Sequence, residues 1–196
     1  LSYFSRLASS NASASYGWRP CLELIQPGSE PYNTIDDGPG PSTLTYDSVT
    51  DTGYYGETTT TELTTGSALA SSIGLSAGTS INDTAGWLKF YYHGKVLYIA
   101  KKPQRHTVSW DNVYTAGAVH GFGSQPGGDS VNSSVKGVYA TGSTSPGNVV
   151  QTKEITVGAY ELKVRLMTGA TSNPIDTTNA SGSDSCSYNL GGSSEW

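Results

Sequence analysis

Two β-prone runs, Trp87-Leu88-Lys89-Phe90-Tyr91-Tyr92 and Lys95-Val96-Leu97-Tyr98-Ile99-Ala100, are separated only by His93-Gly94. Aromatic and β-branched runs on either side of a two-residue break with glycine in second place specify an antiparallel hairpin, because glycine supplies the positive φ of the tight turn. A chain committed to this hairpin must find further strands and a cover for its apolar face. A second hairpin is predicted from residues 154–157, the break Gly158-Ala159 and residues 160–167. The expected class is therefore α+β and β-rich.

Composition says how such a sheet is to be covered. Hydrophobic residues are 35% and charged residues 14% of the chain, so the surface is mostly neutral and polar, and the 13 Tyr and 4 Trp must supply much of the core. The formal charge is -5, and the 11 basic residues are scattered, with only Lys101-Lys102 adjacent. That distribution does not neutralise a phosphate backbone, so nucleic acid is not an expected partner. No apolar run approaches the roughly 20 residues of a membrane-spanning helix, so no membrane insertion is expected. Cys21 and Cys186 leave two readings open, one long-range disulfide or two buried thiols, with thiols the default.

Along the chain, residues 1–16 are rich in Ser, Ala, Asn and Tyr, and residues 17–25, Gly17-Trp18-Arg19-Pro20-Cys21-Leu22-Glu23-Leu24-Ile25, read as a strand that closes a domain. Cys21, Glu23 and Ile25 fall on one strand face, Leu22 and Leu24 on the other. Residues 26–42 hold Pro27, Pro31, Pro39 and Pro41 with Gly28, Gly38 and Gly40, and read as a linker. A second unit starts near Thr43, with a strand over 44–49, a β-branched stretch over 58–65 and a short helix ending at Ile73. Ser109 is placed to cap a helix over 110–116, Asp111 lies in its favourable first turn, and Gly117 or Gly121 stops it. Residues 121–149 form a long Gly/Ser excursion with a short strand at 135–139, and residues 168–194 form another before Glu195-Trp196.

Three ordered blocks, Val108-Ser109-Trp110-Asp111-Asn112, Val164-Arg165-Leu166-Met167-Thr168 and Glu195-Trp196, resemble blocks of the formylglycine-generating-enzyme type of C-type-lectin-like fold, where a V-S-W-D-D helix start precedes R-L-P-T-E-A-E-W. Gly17-Trp18-Arg19 resembles that family's closing G-F-R strand. The combination is similar to tail or virion structural proteins of bacteriophages with that fold. Met167 stands where the family has proline, and the interval from Thr168 to Glu195 is longer than the family's. Because the closing block comes first, the resemblance implies a tandem: residues 1–25 end one lectin-like unit, residues 26–42 link, and residues 43–196 begin another that is incomplete at its C-terminus. The alternative is a permuted single domain in which residues 17–25 complete the later unit's own sheet.

The resemblance does not carry catalysis with it. Cys21 and Cys186 match no reactive cysteine pair, and His93 and His106 read as solvated turn and helix-start residues. Asp36-Asp37 reads as a solvated turn. Asp47, Asp51 and Asp83 read as too dispersed for calcium, and Gly121, Gly123, Gly127 and Gly128 as loop glycines, so neither metal nor cofactor is expected. Trp18, Trp87 and Trp110 read as core residues, Arg19 as part of the closing strand, and Arg165 as the partner of a carboxylate, with Glu195 implied by the family pattern and Trp196 beside it. Ligand contact is expected from Tyr3, Phe4, Arg6, Asn11 and Tyr16, since Tyr offers rigid contact area and Asn and Ser offer adaptable hydrogen bonds; the resemblance also places variable contact residues just before the closing strand.

The expectation is a non-catalytic structural or adhesive protein on the exterior of a phage particle (tail, baseplate, collar or fibre), hence extracellular. Its partners would be other virion subunits, copies of itself, and a host surface glycan or protein. The alternatives are a tail-associated polysaccharide-degrading enzyme and a bacterial extracellular adhesin of the same fold.

Overall fold

The computed structural model describes residues 17–25, 38–119, 121 and 149–167. The candidate residues Tyr3, Phe4, Arg6, Asn11, Tyr16, Glu195 and Trp196, together with Cys186 and the strand expected at 135–139, lie outside the described residues.

The fold is β-rich. In chain order its elements are β1 (Gly17–Trp18), β2 (Cys21–Leu24), β3 (Thr45–Asp47), β4 (Thr52–Thr58), α1 (Gly66–Ile73), β5 (Thr79–Ser80), β6 (Trp87–Tyr92), β7 (Lys95–Ala100), β8 (Arg105–His106), α2 (Trp110–Thr115), β9 (Glu154–Val157) and β10 (Tyr160–Arg165). Among the described residues, seven strands form one antiparallel sheet in the order β3-β4-β6-β7-β2-β10-β9, and three short ones form a second, β1-β8-β5.

The β6–β7 hairpin forms as its sequence requires. His93 and Gly94 both take positive φ, 47° and 80°, which matches the twist of the flanking strands. Pairing runs from Tyr92 opposite Lys95 to Trp87 opposite Ala100. The strand alternation then puts Trp87 and Tyr91 of β6, Val96, Tyr98 and Ala100 of β7, Leu22 and Leu24 of β2, and Leu162 and Val164 of β10 into one apolar core with α1 and α2. The reverse face carries a smaller cluster of Cys21, Leu97, Ile99 and Met167, flanked by Phe90 and Tyr92.

Both helices are fixed by caps. The Thr65 hydroxyl accepts from Ala68 N–H at 3.1 Å, and Gly74 ends α1 in the left-handed region at φ 75°. Ser109 caps α2 as expected, with a reciprocal pair of bonds to Asn112 at 2.9 and 3.1 Å.

The sheet departs from the expected organisation in three places. The tandem reading puts residues 17–25 in a preceding unit, whereas the pairing places β2 inside this sheet, with β7 on one edge and β10 on the other. Leu22 and Leu24 are buried in the same core as the hairpin. Secondly, the end of the expected linker is docked on the sheet. Lys89, fully buried on β6, donates to the carbonyls of Gly38 and Pro41 at 3.2 and 2.7 Å, and the Tyr98 hydroxyl donates to Pro39 O at 2.9 Å. The Lys89 ammonium also lies 4.6 Å from the centre of the Tyr55 ring, an attraction that aids burial of the charge. Thirdly, β4 begins at Thr52 and stops at Thr58, so only the first residue of the β-branched stretch over 58–65 is strand. There Glu62 accepts from the amide and hydroxyl of Thr59 at 2.8 and 2.7 Å, and such local bonds compete with a strand ladder.

Candidate contact surface

Pairing of β4 with β6 sets Thr52 opposite Tyr92 and brings the turn before β4 against the turn after β6. Asp51 and His93, one in each turn, both take left-handed backbone angles, φ 51° and 47°. The two turns are joined by His93 N–H donating to Asp51 O at 3.0 Å and by His93 Nδ1 at 3.2 Å from Asp51 Oδ2. Tyr46 of β3 donates its hydroxyl to Asp51 Oδ1 at 2.8 Å, and its ring meets Tyr91 edge-on at 5.7 Å. Asp47 closes the same turn as Asp51 from its other end, accepting from Val49 N–H at 2.9 Å and from the Thr50 hydroxyl at 3.0 Å.

These bonds fix the charge state of the tip. The Tyr46 hydroxyl, aided by His93 and Tyr91, holds the Asp51 carboxyl below the ordinary carboxylate value. The Val49 amide and then the Thr50 hydroxyl do the same for Asp47. Tyr46 is pushed up, chiefly by the hydrogen bond it gives to Asp51. The tip therefore presents two ionised acceptors held in place by neighbouring donors.

Two exposed apolar side chains, Tyr46 and Val49, lie at this tip, and Tyr54 is exposed on the opposite face of the β3–β4 pair. Among the described residues four large hydrophobics are exposed, and three of them, Tyr46, Val49 and Tyr54, lie within 46–54; the fourth is Val150. Val49, at the turn, is 91% exposed. The Tyr54 ring is steadied by Phe90, 5.1 Å away.

A second charged group lies on the reverse face of the sheet. Glu23 Oε2 accepts from Arg165 Nε at 2.8 Å, and its Oε1 lies 3.6 Å from Lys95 Nζ and 3.9 Å from Lys163 Nζ. Burial alone would raise the Glu23 carboxyl, but Arg165, then Lys95 and Lys163, outweigh it and hold the group below its ordinary value. Arg165 is buried and also donates to Leu166 O at 2.9 Å.

The residues singled out in the sequence fall as follows. Trp18 and Trp87 are buried in the main core, and the Trp87 indole donates to Thr64 O at 2.8 Å. Trp110 is half-buried and stacks on Tyr114 at 4.9 Å. Asp111 lies in the first turn of α2. Arg19 donates through Nε to Ala100 O at 2.5 Å, so it ties the β1–β2 segment to the end of β7. Among the described residues, Arg165 meets the carboxylate of Glu23 on the adjacent strand; Glu195, which the family pattern implied, lies outside the described residues. Asp47 and Asp51 are not dispersed: they flank one turn, and only Asp83 stands apart, accepting from Ser67 N–H at the start of α1. His93 is on the hairpin turn as expected, but it is bonded to Asp51. Sequence reading missed the tip because each of its residues is unremarkable alone. The usable signal was the run Asp47-Ser48-Val49-Thr50-Asp51-Thr52-Gly53, with turn-forming Asp and Thr around an exposed valine, next to Tyr46 and Tyr54.

Among the described residues, no group of three or more His, Cys, Asp or Glu side chains is placed to hold a metal ion, and no helix is long and apolar enough to cross a membrane. Comparison with protein-family models, with curated proteins and with solved structures finds no match.

Proposed function

We propose that this chain is a non-catalytic structural and adhesive component of the exterior of a bacteriophage particle, built on a C-type-lectin-like scaffold and making contact through the β3–β4 tip. The observation that carries the adhesive part is the joint exposure of Tyr46 and Val49 on a tip braced by the Asp47 and Asp51 hydrogen bonds. Tyr rings give large contact area at small entropic cost, and ionised carboxylates accept hydrogen bonds from hydroxyl-rich surfaces. The virion assignment is supported by the order of the Val108–Asn112 and Val164–Thr168 blocks and by Gly17-Trp18-Arg19.

The test is binding of the labelled full chain to host cells and to their extracted surface glycans. Saturable binding that falls at least tenfold in a Tyr46→Ala, Val49→Ser variant is expected, with no release of reducing sugar. Reducing-sugar release would replace this reading with the enzymatic one. A gene lying outside any cluster of capsid and tail genes would replace the virion with a cellular surface.

A further inference from the structure

The seven-stranded sheet is two pieces bridged by one strand. Among the described residues, β3-β4-β6-β7 form one piece and β9-β10 the other, and β7 and β10 meet only through β2. That bridge comes from the opposite end of the sequence. β2 pairs Cys21, Leu22 and Glu23 with Ile99, Tyr98 and Leu97, and pairs Leu24 to Cys21 with Leu162 to Arg165. The flanking residues add Ala100 N–H to Pro20 O, Gln104 N–H to Trp18 O, Arg19 to Ala100 O and Ile25 N–H to Glu161 O. All these hydrogen-bond partners lie between residues 97 and 165. The segment thus carries a full set of anchors: the buried Trp18, Leu22 and Leu24, the Glu23–Arg165 ion pair, and both hydrogen-bonding edges.

We infer that residues 17–25 are an exchangeable donor strand, which in a multi-copy assembly completes the sheet of a second copy of this chain. The connection permits it. Leu24 and Gly38 are neighbours in space, since a Cβ on Gly38 would come within 2.9 Å of the Leu24 side chain. The 12 residues between Ile25 and Gly38 have an extended reach of roughly 40 Å, far more than joining two adjacent points needs. Lys89 and Tyr98 pin residues 38–41 to the sheet, so these residues keep their place when the strand leaves it. Every contact of the closed chain is recreated in the exchanged one, as in domain swapping and donor-strand complementation. Because the chain's own strand is tethered to it at a fixed effective concentration, exchange wins only where copies are crowded, and closure wins in dilute solution. The exchange is independent of the adhesive tip, and its failure leaves the binding test untouched.

Cys21 stands opposite Ile99, and cross-strand Cα atoms are about 4.5–5.5 Å apart, within disulfide range. The full chain carrying Ile99→Cys and Cys186→Ser is refolded at concentrations from micromolar to roughly millimolar, oxidised, and run on a non-reducing denaturing gel. Interchain-linked dimers or ladders whose share rises with concentration, and which vanish when Cys21→Ser is added, are the expected result. Absence of any Cys21-dependent interchain band up to the highest concentration overturns the proposal. A second experiment avoids the core cysteine. Glu23→Arg and Arg165→Glu chains are each mismatched alone, but exchange between them restores both opposite-charge pairs, so refolding the two together should yield a one-to-one complex by native mass spectrometry. A mixture that behaves as the sum of its separate components overturns exchange as well.

Discussion

Glu23 and Asp51 are both held ionised below the ordinary carboxylate value, yet they sit in opposite surroundings. Glu23 lies between strands, where burial works against its charge and Arg165, Lys95 and Lys163 overcome it. Asp51 lies at an exposed tip, where hydrogen bonds from Tyr46 and His93 do the work and water is close by. The direction of a pKa shift is therefore not a measure of what a group contributes to the fold. What differs is the state left behind on removal. Without Glu23, the buried Arg165 guanidinium loses the carboxylate its Nε meets at 2.8 Å, in a place water does not reach; without Asp51, water can take over the exposed Tyr46 and His93 groups.

The largest expected effect follows from that contrast. Glu23→Ala should cost about 3 kcal/mol in urea unfolding, the usual scale for breaking a buried ion pair from one side. Replacing both partners, Glu23→Leu with Arg165→Met, should recover to within about 1 kcal/mol of the parent, because the desolvation of both charges is removed together. A single-variant loss below about 1 kcal/mol would put Glu23 in the same class as Asp51 and end the distinction.

Lys89 sharpens the comparison with a buried charge held by dipoles and rings. Lys89→Ala removes donors from Gly38 O and Pro41 O, and should cost about 2 kcal/mol, the range for hydrogen bonds to a charged group. Its signature is local: limited proteolysis within residues 26–42 should accelerate more than the loss of global stability explains. Cleavage that tracks global unfolding alone would show that Lys89 supports the sheet without pinning residues 38–41.

Lys89 also marks the limit of what the chain discloses before folding. The β6–β7 and β9–β10 hairpins and the capped α2 were legible, because each is set by contiguous residues: two strand runs and a glycine turn, or Ser109 with Asn112 three positions on. The faces of residues 21–24 were legible as well, since alternation depends only on neighbours. The place of β2 was not, because its partners lie 74 to 144 positions away, as Leu97 opposite Glu23 and Arg165 opposite Cys21 illustrate. A lysine in the inward alternation of Trp87, Lys89 and Tyr91 reads as an error of pattern until the carbonyls of residues 38 and 41 are brought to it. The tip was hidden for the same reason: Asp51 and His93 are 42 residues apart and meet only after β4 pairs with β6. β4 itself is disguised by Gly53, Gly56 and an irregularity between Tyr54 and Gly56.

Acid titration separates the two carboxylates by a smaller effect. A depressed folded pKa means that the carboxylate's stabilisation is complete above its unfolded value, near the ordinary 4.5 for Glu23, and is lost as pH falls through the lower folded value. The parent should therefore lose stability on acidification from pH 5 downward, and Glu23→Gln, less stable at neutral pH, should show a shallower decline. Equal slopes for the two proteins would mean that Glu23 binds its proton alike in the folded and unfolded chains.

The smallest stability effect belongs to Asp51→Asn, and there the comparison turns from folding to contact. The amide keeps the shape and one acceptor oxygen for the Tyr46 hydroxyl, and the backbone bond from His93 N–H to Asp51 O is untouched. The melting temperature should stay close to the parent's, while the Tyr46 phenol, no longer facing a carboxylate, should titrate at lower pH, readable by ultraviolet difference absorbance. If the tip is the contact surface, cell binding should weaken severalfold, since a fixed negative acceptor has been neutralised beside the exposed Tyr46 ring. A variant that folds normally, shows the shifted phenol and binds undiminished would separate the braced geometry of the tip from its charge, and would leave the exposed Tyr46 ring and Val49 as the whole of its adhesive chemistry.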